Sequence, residues 1–279
     1  MILSELLTEA TRLLENSSDS ARLDAEVLLC YLLKKDRAYL ITWPEKNIDT
    51  ALTDCYRQLV SRRQSGEPIA YITGQKEFWS LTLRVNQHTL IPRPETELLV
   101  EYLLEHYPAD HTIRLVDLGT GSGAIALALA SERPQWHIIA TDASPDALKT
   151  AQFNAAQLKL NNIEFRQGSW FQPLPDEAFD IIISNPPYIA EQDPHLTRGD
   201  VRFEPPSALS SGHDGLDDIR QIADQARQHL HANGLLIIEH GHDQKDEIFK
   251  IFNSLGYKKI QQLEDIAKKP RATLGYLTL

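Results

Sequence analysis

Residues 114–130 read RLVDLGTGSGAIALALA, and this stretch decides the fold. It begins with a short apolar run that is typical of a buried strand. Alternate glycines follow between 119 and 123, and then a run of alanines and leucines that strongly favours a helix. A strand, a glycine-rich turn and a helix in this order are typical of open α/β sheets, where the turn lets the backbone approach a ligand closely.

The glycine spacing argues against a dinucleotide. The pattern is G-x-G-x-G, tighter than the G-x-G-x-x-G of dinucleotide sites, and no basic residue for a pyrophosphate is evident. A ligand without phosphates is therefore favoured, and a dehydrogenase, which would also need a hydride-transfer site, is not. Asp117 stands just before the turn, where its carboxylate could attract an amino-acid ammonium group.

Two further strand ends carry candidate ligand groups. The predicted second strand, 137–141, ends at Asp142, at about the offset where a carboxylate binds ribose hydroxyls. The predicted third strand, 163–168, is followed by Trp170. An aromatic ring at this position could flank a purine, and it could equally belong to the core.

The fourth predicted strand, 178–184, leads into Asn185-Pro186-Pro187-Tyr188. Prolines lack a backbone donor, so the strand must stop there and hold Asn185 at its carboxyl end. The side-chain oxygen of Asn185 and the carbonyl of Pro186 form a rigid pair of acceptors, which suits a planar NH2 group with two donors. Tyr188 adds an aromatic face against which a flat group can pack.

The chain divides into three predicted parts. Residues 1–75 show helical periodicity and no catalytic constellation, which favours a recognition or packing module. Strand character in 71–74 and in 78–85 predicts a β-hairpin, so that 76–92 form a linker. Residues 93–279 alternate strands and helices, and the long polar stretch 189–215 is expected to be a functional loop over the site.

Composition excludes several classes of protein. The formal charge of −11 argues against sequence-tolerant nucleic-acid binding, which depends on Lys and Arg contacts to phosphates. No apolar run approaches the length of a membrane span, and no basic segment at the start indicates a signal peptide. The only cysteines, Cys30 and Cys55, lie in apolar helical patterns and are expected to be buried free thiols of a cytoplasmic protein; no metal site is expected.

At this point the motifs resemble a known group of enzymes. Residues 117–123 together with Asp142 look like the cofactor site of class I S-adenosylmethionine-dependent methyltransferases, and residues 185–188 are similar to the signature of amino-group methylating enzymes. Further stretches narrow the resemblance to the PrmC/HemK family, the N5-glutamine methyltransferases of peptide chain release factors. These stretches are 71–74, 91–97, 203–209 and 214–216, and the resemblance covers essentially the full chain.

The resemblance implies an α/β class I methyltransferase domain with a Rossmann-like seven-stranded sheet whose last strand is antiparallel, preceded by an all-helical substrate-recognition domain. It implies S-adenosyl-L-methionine as cofactor, S-adenosyl-L-homocysteine as product, and no metal. The partner would be a class 1 release factor, methylated on the glutamine of its Gly-Gly-Gln motif; no nucleic acid or membrane is implied. The implied cofactor-binding residues are Asp117, Gly119, Thr120, Gly121, Ser122, Gly123, Asp142, Trp170 and Asn185.

The same resemblance assigns Asn185, Pro186, Pro187 and Tyr188 to the substrate, with Asn185, Pro186 and Tyr188 in the catalytic role. Two rival interpretations remain. A DNA adenine-N6 methyltransferase also acts on a planar NH2 group, but the acidic charge and the absence of an evident basic recognition domain weigh against it. A non-catalytic cofactor-dependent binding protein would have no need of the intact acceptor pair.

Overall fold

A computed structural model describes residues 1–278, so the last residue of the expected final strand, Leu279, lies outside the described part. The chain forms two compact units. The first consists of Met1–Gln75 and Thr197–Phe203, and the second of Lys76–Leu196 and the chain from Glu204 onward. Among the described residues, no helix is both long enough and apolar enough to cross a membrane.

The first unit is helical. Apolar residues at helical spacing bury one face of each long helix, and together they form a single core that includes Leu3, Leu29 and Tyr56. The Tyr56 hydroxyl is satisfied inside this core, because it donates a 2.8 Å hydrogen bond to the carbonyl oxygen of Ala25. The helices are α1 (Leu3–Leu14), α2 (Ala21–Leu33), α3 (Arg37–Thr42), α4 (Thr50–Gln64) and α5 (Ile69–Thr73).

The prediction of a strand at residues 71–74 is wrong, since most of this stretch lies in α5. Pro68 precedes the helix with a φ of −58°, which suits a helix start, and Gly74 ends it in the left-handed region at +71°. Ala70 and Ile72 are buried, so burial has overridden the preference of β-branched residues for strands.

Thr197–Phe203 belongs to the helical unit although the chain on both sides of it belongs to the other unit. Arg63 explains how this segment is held. Its side chain is only 10% exposed, and it contacts Asp24 at 2.7 Å and Asp200 at 2.8 Å. Two carboxylates therefore balance one buried guanidinium, and one of them comes from this distant segment.

The second unit opens with a two-stranded hairpin and continues as alternating strands and helices. A hairpin is present in this region as predicted, but its strands are Gln75–Phe78 and Leu81–Arg84, so both lie within 75–84 and the stretch 71–74 is not one of them. The elements are β1 (Gln75–Phe78), β2 (Leu81–Arg84), α6 (Glu97–His106), β3 (Arg114–Leu118), α7 (Ala124–Glu132), β4 (His137–Asp142), α8 (Pro145–Leu158), β5 (Ile163–Gln167), β6 (Phe179–Ser184), α9 (Asp217–His229), β7 (Leu230–Glu239), α10 (Lys245–Ser254), β8 (Lys258–Glu264) and β9 (Pro270–Leu277).

Strands β3 to β9 form one seven-stranded sheet in the order β5-β4-β3-β6-β7-β9-β8. Pairing is parallel from β5 to β7, and β9 is antiparallel to both of its neighbours. This confirms the class I methyltransferase sheet with an antiparallel last strand.

Two apolar clusters cover the sheet. One packs α6 and α7 on one set of strand side chains, and the other packs α9 and α10 on the alternate set. The strands read as continuous apolar runs because parallel strands in the middle of such a sheet are buried on both faces. The strand order reverses between β3 and β6, so a crevice is expected outside their carboxyl ends.

The two cysteines are free, but the prediction that both are buried is wrong for Cys55. Cys55 is exposed on α4, whereas Cys30 is partly buried on α2. The neighbour of Cys55, Tyr56, takes the core-facing position of that turn, and this leaves the thiol on the outer face.

Candidate functional site

A cavity of about 360 Å³ opens at the reversal point of the sheet. Its wall contains the glycine turn after β3, the end of β4, the end of β5 and the end of β6. The lining residues named by the sequence motifs are Gly119, Thr120, Gly121, Ser122, Asp142, Trp170, Asn185 and Pro187. Residues from distant strands therefore converge here because they share one edge of a parallel sheet.

Gly119, Gly121 and Gly123 of the turn differ in what surrounds them. All three adopt positive φ, between +58° and +88°. A Cβ on Gly121 would meet nothing within 4 Å, so its backbone faces open space in the cavity wall. Gly123 has a φ of +88°, and a Cβ there would lie 3.2 Å from the Cβ of Ala151, so this glycine permits the backbone turn and close packing at the start of α7 and does not line the cavity.

Asp142, at the end of β4, lines the cavity and is held by backbone donors. Its Oδ2 accepts from Gly121 N and its Oδ1 accepts from Ser144 N, both at 2.8 Å. Burial raises the pKa of this carboxyl, while these two hydrogen bonds act against that rise. Each oxygen keeps a second lone pair, so a fixed carboxylate is available to bind hydroxyl groups.

Asp117 lies beneath the turn and does not line the cavity. It is 1% exposed, and its Oδ2 accepts a 2.6 Å hydrogen bond from the Thr120 hydroxyl. Burial raises its pKa to about 7, while the Thr120 hydrogen bond opposes that rise. The backbone N–H of Ala126 opposes the rise as well, although within residues 1–278 the Asp117 Oδ1 makes no hydrogen bond of normal geometry.

Trp170 lines the cavity and is half-buried. Its indole Nε1 donates to Asp218 Oδ1 at 3.2 Å, and its six-membered ring lies 3.2 Å from the position that a Cβ on Gly119 would take. The backbone at Trp170 has a φ of +47°, an uncommon conformation for a bulky residue. The ring is therefore fixed beside the glycine turn, while part of it also packs on the core.

Asn185 follows β6 directly and lines the cavity. Its Nδ2 donates to the hydroxyl oxygen of Thr96 at 3.2 Å. Within the described chain its Oδ1 is buried and has no hydrogen-bond partner. A buried amide oxygen of this kind is costly unless a bound group satisfies it, so the site contains a ready acceptor for an N–H donor.

The other three residues of the tetrapeptide differ in whether they line the cavity. Pro187 lines the cavity, whereas Pro186 is buried and is not part of its wall. Tyr188 is half-buried and, like Pro186, is not part of the cavity wall, so the structure does not bring these two predicted site residues to the cavity with Asn185. The Tyr188 hydroxyl lies 3.4 Å from Glu239 Oε1. Its backbone carbonyl accepts a 2.9 Å hydrogen bond from Gln244 Nε2, which fixes the chain as it leaves the tetrapeptide.

Sequence reasoning missed Thr96 and Glu239. Thr96 lines the cavity from the turn before α6, and Glu239 is a buried carboxyl at the end of β7. The available signal for Glu239 was an acidic residue closing an apolar strand, the same pattern that singled out Asp142. Thr96 lies inside the stretch 91–97 that carries the family resemblance, but nothing in that stretch singles it out, because its contact with Asn185 joins residues far apart along the chain.

The predicted loop, 189–215, contributes Pro205, Ser207 and Ala208 to the cavity wall. Glu204, directly before these cavity residues, holds this part of the loop in place, and its side chain is fully buried. Glu204 accepts from the guanidinium of Arg93 and, at 3.3 Å, from Ile91 N. The same carboxylate therefore connects the loop to the chain that carries Pro92, another cavity residue.

Comparison with known proteins identifies the class to which the second unit belongs. Residues 109–271 match a family described as a methyltransferase domain. A methyltransferase from Pyrococcus furiosus superposes with a TM-score of 0.54 at 16% identity, covering 80% of this chain and 98% of that one. A 16S rRNA methyltransferase from T. thermophilus, solved with AdoMet and guanosine, gives 0.54 at 18% identity over 72% of this chain and 49% of that one. The chain is a methyltransferase of the class I fold.

Closer relatives define the family. Residues 5–74 match the PrmC N-terminal domain. A release factor glutamine methyltransferase of Shewanella oneidensis is 48% identical over 98% of this chain and 95% of its own length. A release factor glutamine methyltransferase of Vibrio cholerae is 51% identical over 96% of this chain and 94% of its own length. The chain belongs to the release factor glutamine methyltransferase family, which confirms the resemblance found in its motifs.

Proposed function

We propose that this enzyme transfers the methyl group of S-adenosyl-L-methionine to the side-chain amide nitrogen (N5) of the glutamine in the Gly-Gly-Gln motif of class 1 peptide chain release factors. The observation that carries the proposal is the unsatisfied Oδ1 of Asn185 in the cavity wall, beside the glycine turn. The names of its relatives support the release factor as protein partner.

The residues around the cavity fit the cofactor. Asp142 offers fixed carboxylate lone pairs for ribose hydroxyls, and Trp170 offers a ring that can flank adenine. Gly119, Thr120, Gly121 and Ser122 line the cavity, and Gly123 caps the helix that follows them. The Oδ1 of Asp117 lies beneath the turn and not in the cavity wall, so it would interact with the ammonium group of the cofactor through water. S-adenosylmethionine, when bound, supplies a methyl group on a sulfonium and becomes S-adenosylhomocysteine.

An amide nitrogen is a poor nucleophile because its lone pair is delocalised into the carbonyl group. Asn185 Oδ1 and the Pro186 carbonyl oxygen would accept the two hydrogens of the glutamine NH2 and hold its lone pair toward the methyl group. Positioning of this kind supplies about 7–11 kcal/mol in favourable cases. The same acceptors stabilise the positive charge that develops on the nitrogen, and the proton can leave after transfer, so no strong base is required first.

Tyr188 and the two domains complete the proposal. The Tyr188 ring would pack on the plane of the glutamine amide, and Pro187 would shape the entrance to the acceptor pair. Residues 1–75 would recognise the release factor, and residues 93–279 would bind the cofactor and catalyse methyl transfer. Residues 76–92 would link these two domains. The match of residues 5–74 to the PrmC N-terminal domain supports the first of these assignments.

The test is transfer of labelled methyl from S-adenosylmethionine to purified release factor, beside a release factor with Gln→Ala in its Gly-Gly-Gln motif and beside duplex DNA. Label in the intact release factor alone is the expected result. Label in DNA alone would replace the proposal with an adenine-N6 activity. Cofactor binding with no label in any acceptor would favour a binding protein.

A further inference from the structure

The chain between the hairpin and α6 lines the cavity, although the sequence predicts it only as part of a linker. The cavity residues of this segment are His88, Thr89, Leu90 and Pro92. They lie outside any helix or strand. A segment of this kind keeps one position only if other parts of the fold hold it, so the contacts of its neighbours decide the shape of the cavity.

Asn154 of α8 holds the chain where it leaves the hairpin. Its side chain belongs to a residue that is 2% exposed. Among the described residues β2 pairs only with β1, so the other edge of β2 needs partners for its backbone groups. Asn154 Oδ1 accepts from Arg84 N at 2.8 Å, and Asn154 Nδ2 donates to Arg84 O at 3.0 Å. The side-chain amide therefore takes the place of a neighbouring strand at the last residue of β2.

The same amide also contacts the glycine turn. Asn154 Nδ2 donates its second hydrogen to the carbonyl oxygen of Ser122 at 2.9 Å. Ser122 lines the cavity. Both hydrogens of the NH2 group are thus used, each on a backbone carbonyl, and they fix the distance between the end of the hairpin and the glycine turn.

Thr150 supports the segment one helical turn earlier on α8. Its Oγ1 accepts a 2.9 Å hydrogen bond from Asn86 Nδ2 and donates to the carbonyl oxygen of Asp146 at 3.0 Å. Thr150 is 5% exposed. Residues four positions apart share one face of a helix, so Thr150 and Asn154 form a buried polar stripe that follows the chain out of the hairpin.

We propose that residues 88–90 form a wall of the cofactor site and that Asn154 is a positioning residue, which fixes this wall against the glycine turn. The assignment of the wall rests on the proposed function, since it takes S-adenosylmethionine as the ligand. The chain from Ile91 onward is held separately by Glu204. Asn154 should therefore control the affinity for the cofactor and leave the acceptor amide of Asn185 in place.

Calorimetry with S-adenosylhomocysteine, which needs no methyl acceptor, tests the effect on affinity. Asn154→Leu removes all three hydrogen bonds at similar volume, and Asn154→Asp keeps the shape but removes both donors. We expect either change to raise the Kd by about 10- to 100-fold, because the site is no longer preorganised. At saturating S-adenosylmethionine, kcat on release factor should fall by less than about threefold, since the lost interaction affects binding and not the reaction step.

Asn162→Leu is the matched control for a general loss of stability. Asn162 Nδ2 also donates to backbone carbonyls, Arg133 O at 3.1 Å and Trp136 O at 3.3 Å. Asn162 precedes β5, however, and so lies at the edge of the sheet opposite the cavity. Asn162→Leu should lower the Tm and leave the Kd unchanged.

Thr150→Val keeps the test decisive if the Asn154 variants do not fold. The change removes the hydroxyl that accepts from Asn86 and preserves the shape of the side chain. We expect it to raise the Kd of S-adenosylhomocysteine by at least about threefold through the same loss of preorganisation.

Hydrogen exchange of the backbone amides measures the wall directly. In the wild type, S-adenosylhomocysteine should slow the exchange of residues 88–90. Without ligand, residues 84–90 should exchange faster in Asn154→Leu and in Thr150→Val than in the wild type. No binding of S-adenosylhomocysteine to the wild type would reject the proposed cofactor site as a whole.

Two other results would overturn the role of this wall and leave the cofactor site in place. One is binding of S-adenosylhomocysteine without protection of residues 88–90. The other is a Kd equal to that of the wild type in Thr150→Val and in every Asn154 variant that folds. A Kd raised equally in Asn162→Leu would show that the effect comes from stability and would also reject the positioning role.

Discussion

The hydroxyl of Ser184 donates a 2.8 Å hydrogen bond to the carbonyl oxygen of Leu118, its register partner across β3 and β6. Each of these residues ends its strand, and each is followed by a motif that lines the cavity, Gly119 on one side and Asn185 on the other. The glycine turn and the acceptor amide are therefore neighbours because two central parallel strands end at the same level.

Asn185 is the first target for mutation. Asn185→Ala should retain S-adenosylmethionine binding within a few-fold, because the glycine turn, Asp142 and Trp170 are untouched. Turnover should fall by about 100- to 1,000-fold, the range typical of removing one preorganised hydrogen-bonding group from an active site. Calorimetry for the cofactor and single-turnover methylation measure the two effects. A variant that lost cofactor binding but kept its rate when saturated would place Asn185 on the cofactor side only.

Asp142 is expected to control cofactor affinity. In Asp142→Asn, one oxygen becomes an NH2 that faces a backbone N–H donor, Gly121 N or Ser144 N. We expect the Kd of S-adenosylmethionine to rise at least about tenfold, since a buried donor would be left unsatisfied. The matched control is Asp146→Asn, an exposed carboxylate paired with Lys149 one turn into α8. Equal affinity of the two variants would remove Asp142 from the cofactor site.

Burial raises the pKa of Glu239 to about 7, and this shift has a defined sign for stability. The folded pKa of Glu239 lies above the unfolded value, so folding disfavours its ionised form. The contribution of Glu239 to the free energy of unfolding is unaffected below the unfolded pKa and declines as pH rises toward 7. Denaturant titrations of the wild type and Glu239→Gln between pH 4.5 and 8 should show a steeper decline in the wild type. Parallel curves would contradict this assignment.

Gly215 is expected to hold the backbone of the tetrapeptide. It has a φ of +77°, and a Cβ there would lie 2.3 Å from the carbonyl oxygen of Tyr188. Gly215→Ala should therefore lower both Tm and kcat, because the Tyr188 carbonyl cannot stay in place. Gly256→Ala is the matched control: its φ is +88°, but a Cβ would meet nothing within 4 Å.

The control should lose only about 1–2 kcal/mol of stability from the left-handed backbone conformation and keep its rate. Equal rates in Gly215→Ala and Gly256→Ala would show that movement of the Tyr188 backbone does not affect catalysis.

Local patterns predicted most of this fold. The strand, glycine turn and helix of 114–130 and the proline stop after Asn185 are encoded by adjacent residues, and the structure reproduces them. The stretch 71–74 was assigned wrongly because its residues favour strands locally, while burial of Ala70 and Ile72 selects a helix.

The contacts between motifs could not be predicted in the same way. Thr96 and Asn185 are separated by 89 positions along the chain, and their hydrogen bond exists only because the turn before α6 lies beside the residue that follows β6. The burial of Asp117 could not be predicted either. The sequence places this residue directly before the turn, but only the structure shows that it lies beneath the turn. Sequence patterns therefore predicted which residues line the cavity better than they predicted which residues hold them in place.

The placement of Thr197–Phe203 makes the helical unit a discontinuous domain. A fragment that ends at Gln75 would keep Arg63 and Asp24 but lack Asp200, one of the two carboxylates on that buried guanidinium. A contiguous fragment of the helical region would therefore lack one of the two carboxylates that neutralise the buried Arg63 side chain. The boundary of this module in the gene and its boundary in the folded molecule do not coincide.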